Sequence, residues 1–237
     1  MKVNLICCLF VLDSDRNDNI RKKDIKKIKV LITKNNELPE INFCGNDMKK
    51  QVRKNISTII GTEVFHLEQV FTMDYENSLD VLYLGVTNID NIKKLNDDYK
   101  LIEFKVENNN IVQFGDSVYK YETIELEGNN NIEYIHEIEC SDENIKRNIL
   151  NLLISYKKIR SNIDTTDIIF KFMGNSFVLE DVRMVYEIIK DSKVDKSNFR
   201  KKIKKYCEKI DEKEDTKNGY RPSEKYRFKP LKGDIWL

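Results

Sequence analysis

The apolar residues change their spacing near residue 140, and that change divides the chain into a strand-rich part and a helical one. Upstream, Val3–Leu12 and Ile28–Thr33 are β-favouring runs separated by the polar, charged stretch Asp13–Asp24, as strands joined by a turn would be. Val64–Phe71, Val81–Thr87 and Lys100–Val106 read as further strands, and Tyr121–Leu126 with Asn131–Ile138 as a pair around Gly128-Asn129-Asn130. One helical period interrupts them: Met48, Val52, Ile56 and Ile59/Ile60 recur on one face, and Gly61 follows as a C-terminal glycine should. Asn91–Asp98 is expected to be a short helix, and Met73–Leu79 a short loop.

Downstream of residue 140 the period is helical. Ser141 or Asp142 can cap a helix whose apolar residues are Ile145, Ile149, Leu152, Leu153, Tyr156 and Ile159, a stripe wide enough to be buried on two sides. Asp164/Thr165 start a second, with Ile168, Ile169, Phe172 and Met173 inward and Gly174-Asn175 at its end. Glu180–Lys190 is a third, and Asp195 caps a fourth. The fold class is therefore α+β. At 237 residues, two small domains with a core each are expected.

Composition excludes several classes. The chain has no alanine, with Asn, Lys and Ile abundant, which reads as coding bias and weakens any inference from lysine counts alone. Eight Gly and three Pro exclude a collagen-like chain, and eleven Phe with eleven Tyr argue against disorder. Val3–Leu12 is too short to span a bilayer and lacks a basic leader, so no membrane association and a cytoplasmic location are expected. Cys7, Cys8, Cys44, Cys140 and Cys207 show no metal-ligand spacing and read as reduced thiols. His66 and His136 sit in strand-like runs and read as structural. No metal, cofactor or catalytic residue is implied.

The formal charge of +1 conceals an asymmetry. Residues 190–237 hold 16 Lys+Arg against 9 Asp+Glu, a net +7, which leaves −6 on residues 1–189. Part of the excess lies on the fourth helix, where Phe199, Ile203 and Tyr206 share one face. Ser197, Arg200, Lys201 and Lys204 face the other way, flanked by Lys205. Two helices joined by the Asp191–Val194 turn match helix-turn-helix geometry. The Asn218-Gly219 turn and the alternating Lys225-Tyr226-Arg227-Phe228 add a basic hairpin, with Lys213, Lys217 and Arg221 near its tip. A helix-turn-helix with a basic hairpin is a winged helix. Its cations suit phosphates through counterion release, and Ser197, Asn198 and Arg200 suit base edges. The bland reading is a lysine-rich solvated helix.

Two stretches give the pattern a family. Phe177–Glu187 followed by Asp195–Lys202 resembles the C-terminal domain of NrtR-type regulators, Nudix-related transcription factors with an N-terminal Nudix-like domain and a C-terminal winged helix. Arg221–Phe228 resembles their last wing strand, His66–Thr72 the strand after the Nudix helix, and Leu38-Pro39 the approach to the Nudix loop. The resemblance implies a Nudix-like α/β/α sandwich over 1–140, a bridging helix over 141–163 and a winged helix over 164–237. It further implies a homodimer on a palindromic duplex operator, with DNA contacts from Lys196, Ser197, Asn198, Arg200, Lys201, Lys204, Lys205, Lys217, Arg221, Lys225 and Arg227. A small-molecule effector, nucleotide or sugar related, would bind the Nudix-like domain.

The Nudix signature, G-x5-E-x7-R-E-U-x-E-E-x-G-U, uses helical glutamates to hold a divalent cation. Anchored on Gly61, its first glycine falls on Glu40 and its first glutamate on Asn46. The Arg-Glu pair falls on Lys54 and Asn55, and the Glu-Glu pair on Thr58 and Ile59. No register helps, because Lys49–Ile60 contains no acidic residue. The expectation is a binding domain that is not an enzyme; the rival is a divergent Nudix hydrolase acting on a nucleoside diphosphate derivative such as ADP-ribose. Asp74 and Glu76 are poorly suited to a pyrophosphate, while Arg53 and Lys54 can offer cations. A third reading is an interaction protein whose basic helix takes an acidic partner.

Overall fold

The computed structural model describes residues 2–15, 25–63, 65–75, 77–126, 132–213 and 223–229. In chain order, β1 (Lys2–Asp15), β2 (Ile25–Thr33) and β3 (Glu40–Asn42) lead to α1 (Met48–Ile60). Then come β4 (His66–Tyr75), β5 (Ser78–Asn88), β6 (Tyr99–Glu107), β7 (Ile111–Phe114), β8 (Ser117–Leu126) and β9 (Ile132–Ile138). They form one mixed sheet in the order β4-β5-β1-β2-β6-β7-β8-β9, with β3 also beside β1. The edge of β1 is shared: Asn4–Ile6 pairs with β3 and Phe10–Asp15 with β2. Its other edge runs parallel to β5.

Leu5–Leu12 is apolar at every position, the pattern of a strand covered on both faces. Leu5, Cys7, Leu9 and Val11 enter one core with α1; Ile6, Cys8, Phe10 and Leu12 enter another with α2 (Glu143–Asn162). Gly85 lets β5 lie close to β1: a Cβ there would stand 2.7 Å from Leu9 Cδ1 and the buried Leu9 side chain would have to shift. α1 buries Val52, Ile56, Ile59 and Ile60, each contributing about 1.5–3 kcal/mol. Asp47 caps it by accepting from Lys50 N at 2.8 Å, and Gly61 ends it at φ 68°. Asp142 caps α2, accepting from Asn144 N and Ile145 N. Helix, sheet and helix make the expected sandwich.

The remainder is α3 (Ile168–Lys171), α4 (Leu179–Lys190), α5 (Lys196–Lys204), β10 (Cys207–Lys213) and β11 (Glu224–Phe228). β10 and β11 pair antiparallel, and Phe177 joins them as a bridge to Tyr226, with N–H···O bonds of 2.9 and 2.8 Å. Phe228 stacks on Phe170 at 4.4 Å between centroids, tying the wing to α3. This is a winged helix. Among the described residues no helix is long and apolar enough to cross a membrane.

Several expectations are corrected. Among the described residues the winged helix does not have a core apart from the body: the core on the α2 side of the sheet continues through Tyr156 and Ile159 into Val182, Val185 and Ile189 of α4 and on to Tyr226. Asn91–Asp98 is not a helix beyond a single 3-10 turn at Ile89–Asn91, because Lys94 N and Asn96 N are spent on Ile60 O and Ile59 O at the end of α1. Met73–Leu79 is not a loop, because β4 runs on to Tyr75 and β5 starts at Ser78. The second downstream helix begins at Ile168, not Asp164/Thr165. The Asp164 carboxylate instead accepts from Tyr186 OH at 2.8 Å and meets Lys190 Nζ at 2.6 Å. The Asn218-Gly219 turn lies outside the described residues.

Candidate nucleic-acid interface

α5 is placed by its apolar face. Phe199 and Ile203 are buried, and Tyr186 of α4 packs on Phe199 at 5.2 Å between ring centroids. Asp195 caps the helix by accepting from Asn198 N at 2.8 Å. With that face inward, Lys196, Ser197, Asn198, Arg200, Lys201, Lys204 and Lys205 are all exposed. The helix-turn-helix turn is pinned from within. Glu187 accepts from Val194 N at 3.1 Å, pairs with Lys193 at 3.1 Å and takes a further bond from Arg183.

A groove of about 420 Å³ separates the start of α4 from α5 and β11. Arg183, Lys196 and Arg200 line it, opposed by Glu180 and Glu224. Lys196 reaches Glu180 at 3.5 Å, so the first cation of α5 is partly committed. Bonds from Lys209 and Tyr226 hold the Glu224 carboxyl down to about 2. Burial, then Glu224, pushes the Tyr226 phenol up. Arg227 pairs with Glu208 at 2.9 Å along the hairpin. Lys225 is half-buried and has a partner of its own. Lys217 and Arg221 lie outside the described residues.

A second concavity, about 650 Å³, lies on the N-terminal body between β3, α1 and the start of α2. Gln51, Asn144 and Asn148 line it with Glu40 and Arg147. Arg147 bridges Glu40 at 3.0 Å and Asp80 at 2.7 Å, and Asn4 Nδ2 donates to Asp80 at 2.8 Å. Burial works to lower the Arg147 value, and the two carboxylates outweigh it and raise it. Of the aligned signature positions, only Glu40 lines this cleft. Asn46, Lys54 and Thr58 are exposed, Asn55 is half-buried and Ile59 belongs to the core. Arg53, one of the two cations considered for an anionic ligand, donates to Glu63 O and Phe65 O and lies 4.6 Å from the centre of the Phe65 ring.

Residues 169–228 match the family model of the NrtR DNA-binding winged helix domain. This segment is an NrtR-type winged helix. The wider fold agrees. NrtR from Shewanella oneidensis, solved with a 27mer DNA, superposes with a TM-score of 0.62 at 12% identity over 96% of this chain and 93% of its own. A second structure of Shewanella oneidensis NrtR gives the same score and identity over 96% and 94%. A MutT/nudix family protein from Enterococcus faecalis gives 0.67 at 15% identity over 97% and 88%. At such identities the likeness is one of fold: a Nudix-like fold precedes the NrtR-type winged helix. No curated protein matches by sequence.

Within the NrtR-type domain, the structure brings the basic residues of α5 onto one exposed face and leaves Lys225 and Arg227 to the hairpin. Sequence reasoning missed Glu187, whose carboxylate holds the turn between the two helices, and Asp191, whose carboxylate accepts from Asn108 N. Asp191 had a legible signal, since a polar residue directly after an apolar-periodic helix suits a left-handed cap, and its φ is 51°.

Proposed function

We propose that the protein is a DNA-binding transcriptional regulator: a Nudix-like body over 1–140, a bridging helix over 141–163 and a reading domain over 164–237. α5 enters the major groove, with Ser197, Asn198 and Arg200 toward base edges and Lys201, Lys204 and Lys205 toward phosphates. Lys225 and Arg227 of β11 contact the DNA backbone, as do Lys217 and Arg221. The observation that carries the reading is the NrtR-type domain match together with the outward basic face of α5. NrtR from Shewanella oneidensis was solved with a 27mer DNA, which supports the same partner here.

The regulator acts in the cytoplasm as a homodimer on a palindromic operator, since such readers bind paired half-sites one helical turn apart. The cleft beside Arg147 takes a small polar effector that shifts DNA affinity. The body does not hydrolyse it, because α1 supplies no carboxylate for a hard dication.

The test is salt-dependent binding to duplexes selected from a randomised pool. Replacing Arg200 and Lys201 together by alanine should weaken binding about ten-fold or more and flatten the salt dependence. Unchanged affinity removes α5 as the reader. Equal binding to heparin and duplex at raised salt points instead to a general polyanion surface.

A further inference from the structure

The last turn of α4 leaves carbonyls without partners inside the helix, as every helix does. Here residues outside the winged helix supply the donors. Tyr156 OH of α2 lies 3.2 Å from both Ile188 O and Ile189 O. Arg160 Nη2 donates to Lys190 O at 3.0 Å. Asn108 N, at the β6–β7 turn, donates to Asp191 Oδ2 at 2.8 Å. Four consecutive residues, Ile188 to Asp191, thus receive hydrogen bonds from the bridging helix and the sheet. Arg160 also bonds the Asn109 side chain, which links the two sources of donors.

The backbone on both sides is shaped for this contact. Asn108 and Asn109 have φ of 52° and 60°, giving a tight turn that presents its N–H outward, and Asp191 caps α4 at φ 51°. Glycine is the common residue at such a cap. Aspartate there keeps a carboxylate that reaches the turn. Three residues further on, Val194 N is held by Glu187, and Asp195 then begins α5.

Resting on the DNA-binding reading, we infer that Tyr156 and Asp191 are positioning residues: the N-terminal body caps α4 from outside and so sets the angle at which α5 meets DNA. The core packs α4 against α2, and these bonds add defined donor–acceptor directions to that packing. A change in the body that shifts α2 or the β6–β7 turn is transmitted to the helix-turn-helix turn directly.

Two variants test this without touching the basic face. Tyr156→Phe keeps the ring between Phe10 and Phe104 and removes only the hydroxyl. Asp191→Gly keeps the left-handed cap and removes only the carboxylate. Both should fold, with the active fraction by stoichiometric titration equal to wild type. Amide exchange at residues 191–194 should rise in both, and at Asn108 in Asp191→Gly. Affinity for the selected duplex should fall about three- to ten-fold, while binding to random duplex stays constant. Asp191→Asn, whose amide oxygen still accepts, should recover most of the loss. Unchanged exchange, or unchanged affinity and specificity despite faster exchange, overturns the positioning role alone. A wild-type protein that selects no duplex overturns the DNA-binding reading and this role with it.

Discussion

The Glu187 side chain is 5% exposed and carries a charge, a combination that survives only with partners. Burial by itself would raise its carboxyl, but Val194 N–H, Lys193 and Arg183 outweigh that and lower it. A carboxyl lowered on folding contributes stability above the usual carboxylate range, and that contribution is lost as pH falls through the depressed value. Glu187→Gln is therefore expected to cost about 1–3 kcal/mol at neutral pH, with the gap to wild type closing in acid; urea midpoints measured at both conditions check it. A gap independent of pH would assign the effect to packing. At this scale the sequence was legible where a local bond decides: of the two candidates Ser141 and Asp142 it is Asp142 that caps α2, and Asp195 caps α5 as its position implied. Glu187 was not legible, because its partners Lys193 and Val194 reach it only after the chain turns.

The helices with strong period, α1, α2, α4 and α5, follow from their apolar spacing, and the long strands from theirs. β3 and β7 escaped because three or four residues show no alternation; β7 was hidden behind the polar Asn108–Asn110, which is its hairpin turn. The 91–98 segment was misread because its backbone donors serve another element. α1 carries the functional argument at this scale. Ile59, which aligns with a signature glutamate, is 3% exposed in the core with Val52 and Ile56. The helix thus turns that position away from the cleft as well as lacking its carboxylate. No turnover of ADP-ribose is expected with Mg²⁺ or Mn²⁺, assayed by formation of AMP and ribose 5-phosphate. Turnover at a rate above solvent hydrolysis restores the hydrolase reading.

For the molecule as a whole, the decisive feature is the core that crosses from sheet to winged helix. Phe10 and Phe104 of the sheet meet Tyr156 at 6.3 and 5.5 Å between centroids, and the Tyr156 hydroxyl meets α4. Heating should give one cooperative transition in calorimetry, and Tyr156→Ala should lower it by about 3–5 kcal/mol without splitting it. Two transitions in the wild type would mean that the two parts unfold separately. Length had favoured two independent cores; what it concealed was the wide apolar stripe of α2, which serves both sides at once. Lys26 of β2 adds an ion pair to Asp181 at the other end of α4, at 3.4 Å.

Such a shared interior constrains how a protein of this kind can change over evolutionary time. A reading domain joined to its neighbour by a loose linker can be exchanged as a cassette, moved to a new sensor with little loss. Here, moving α4 to another body would strip Val182, Val185 and Ile189 of their cover and the last turn of its donors. On the proposed reading, new specificities would arise by altering residues in place, on the outward face of α5 or around the proposed effector cleft beside Arg147, with the two halves inherited together.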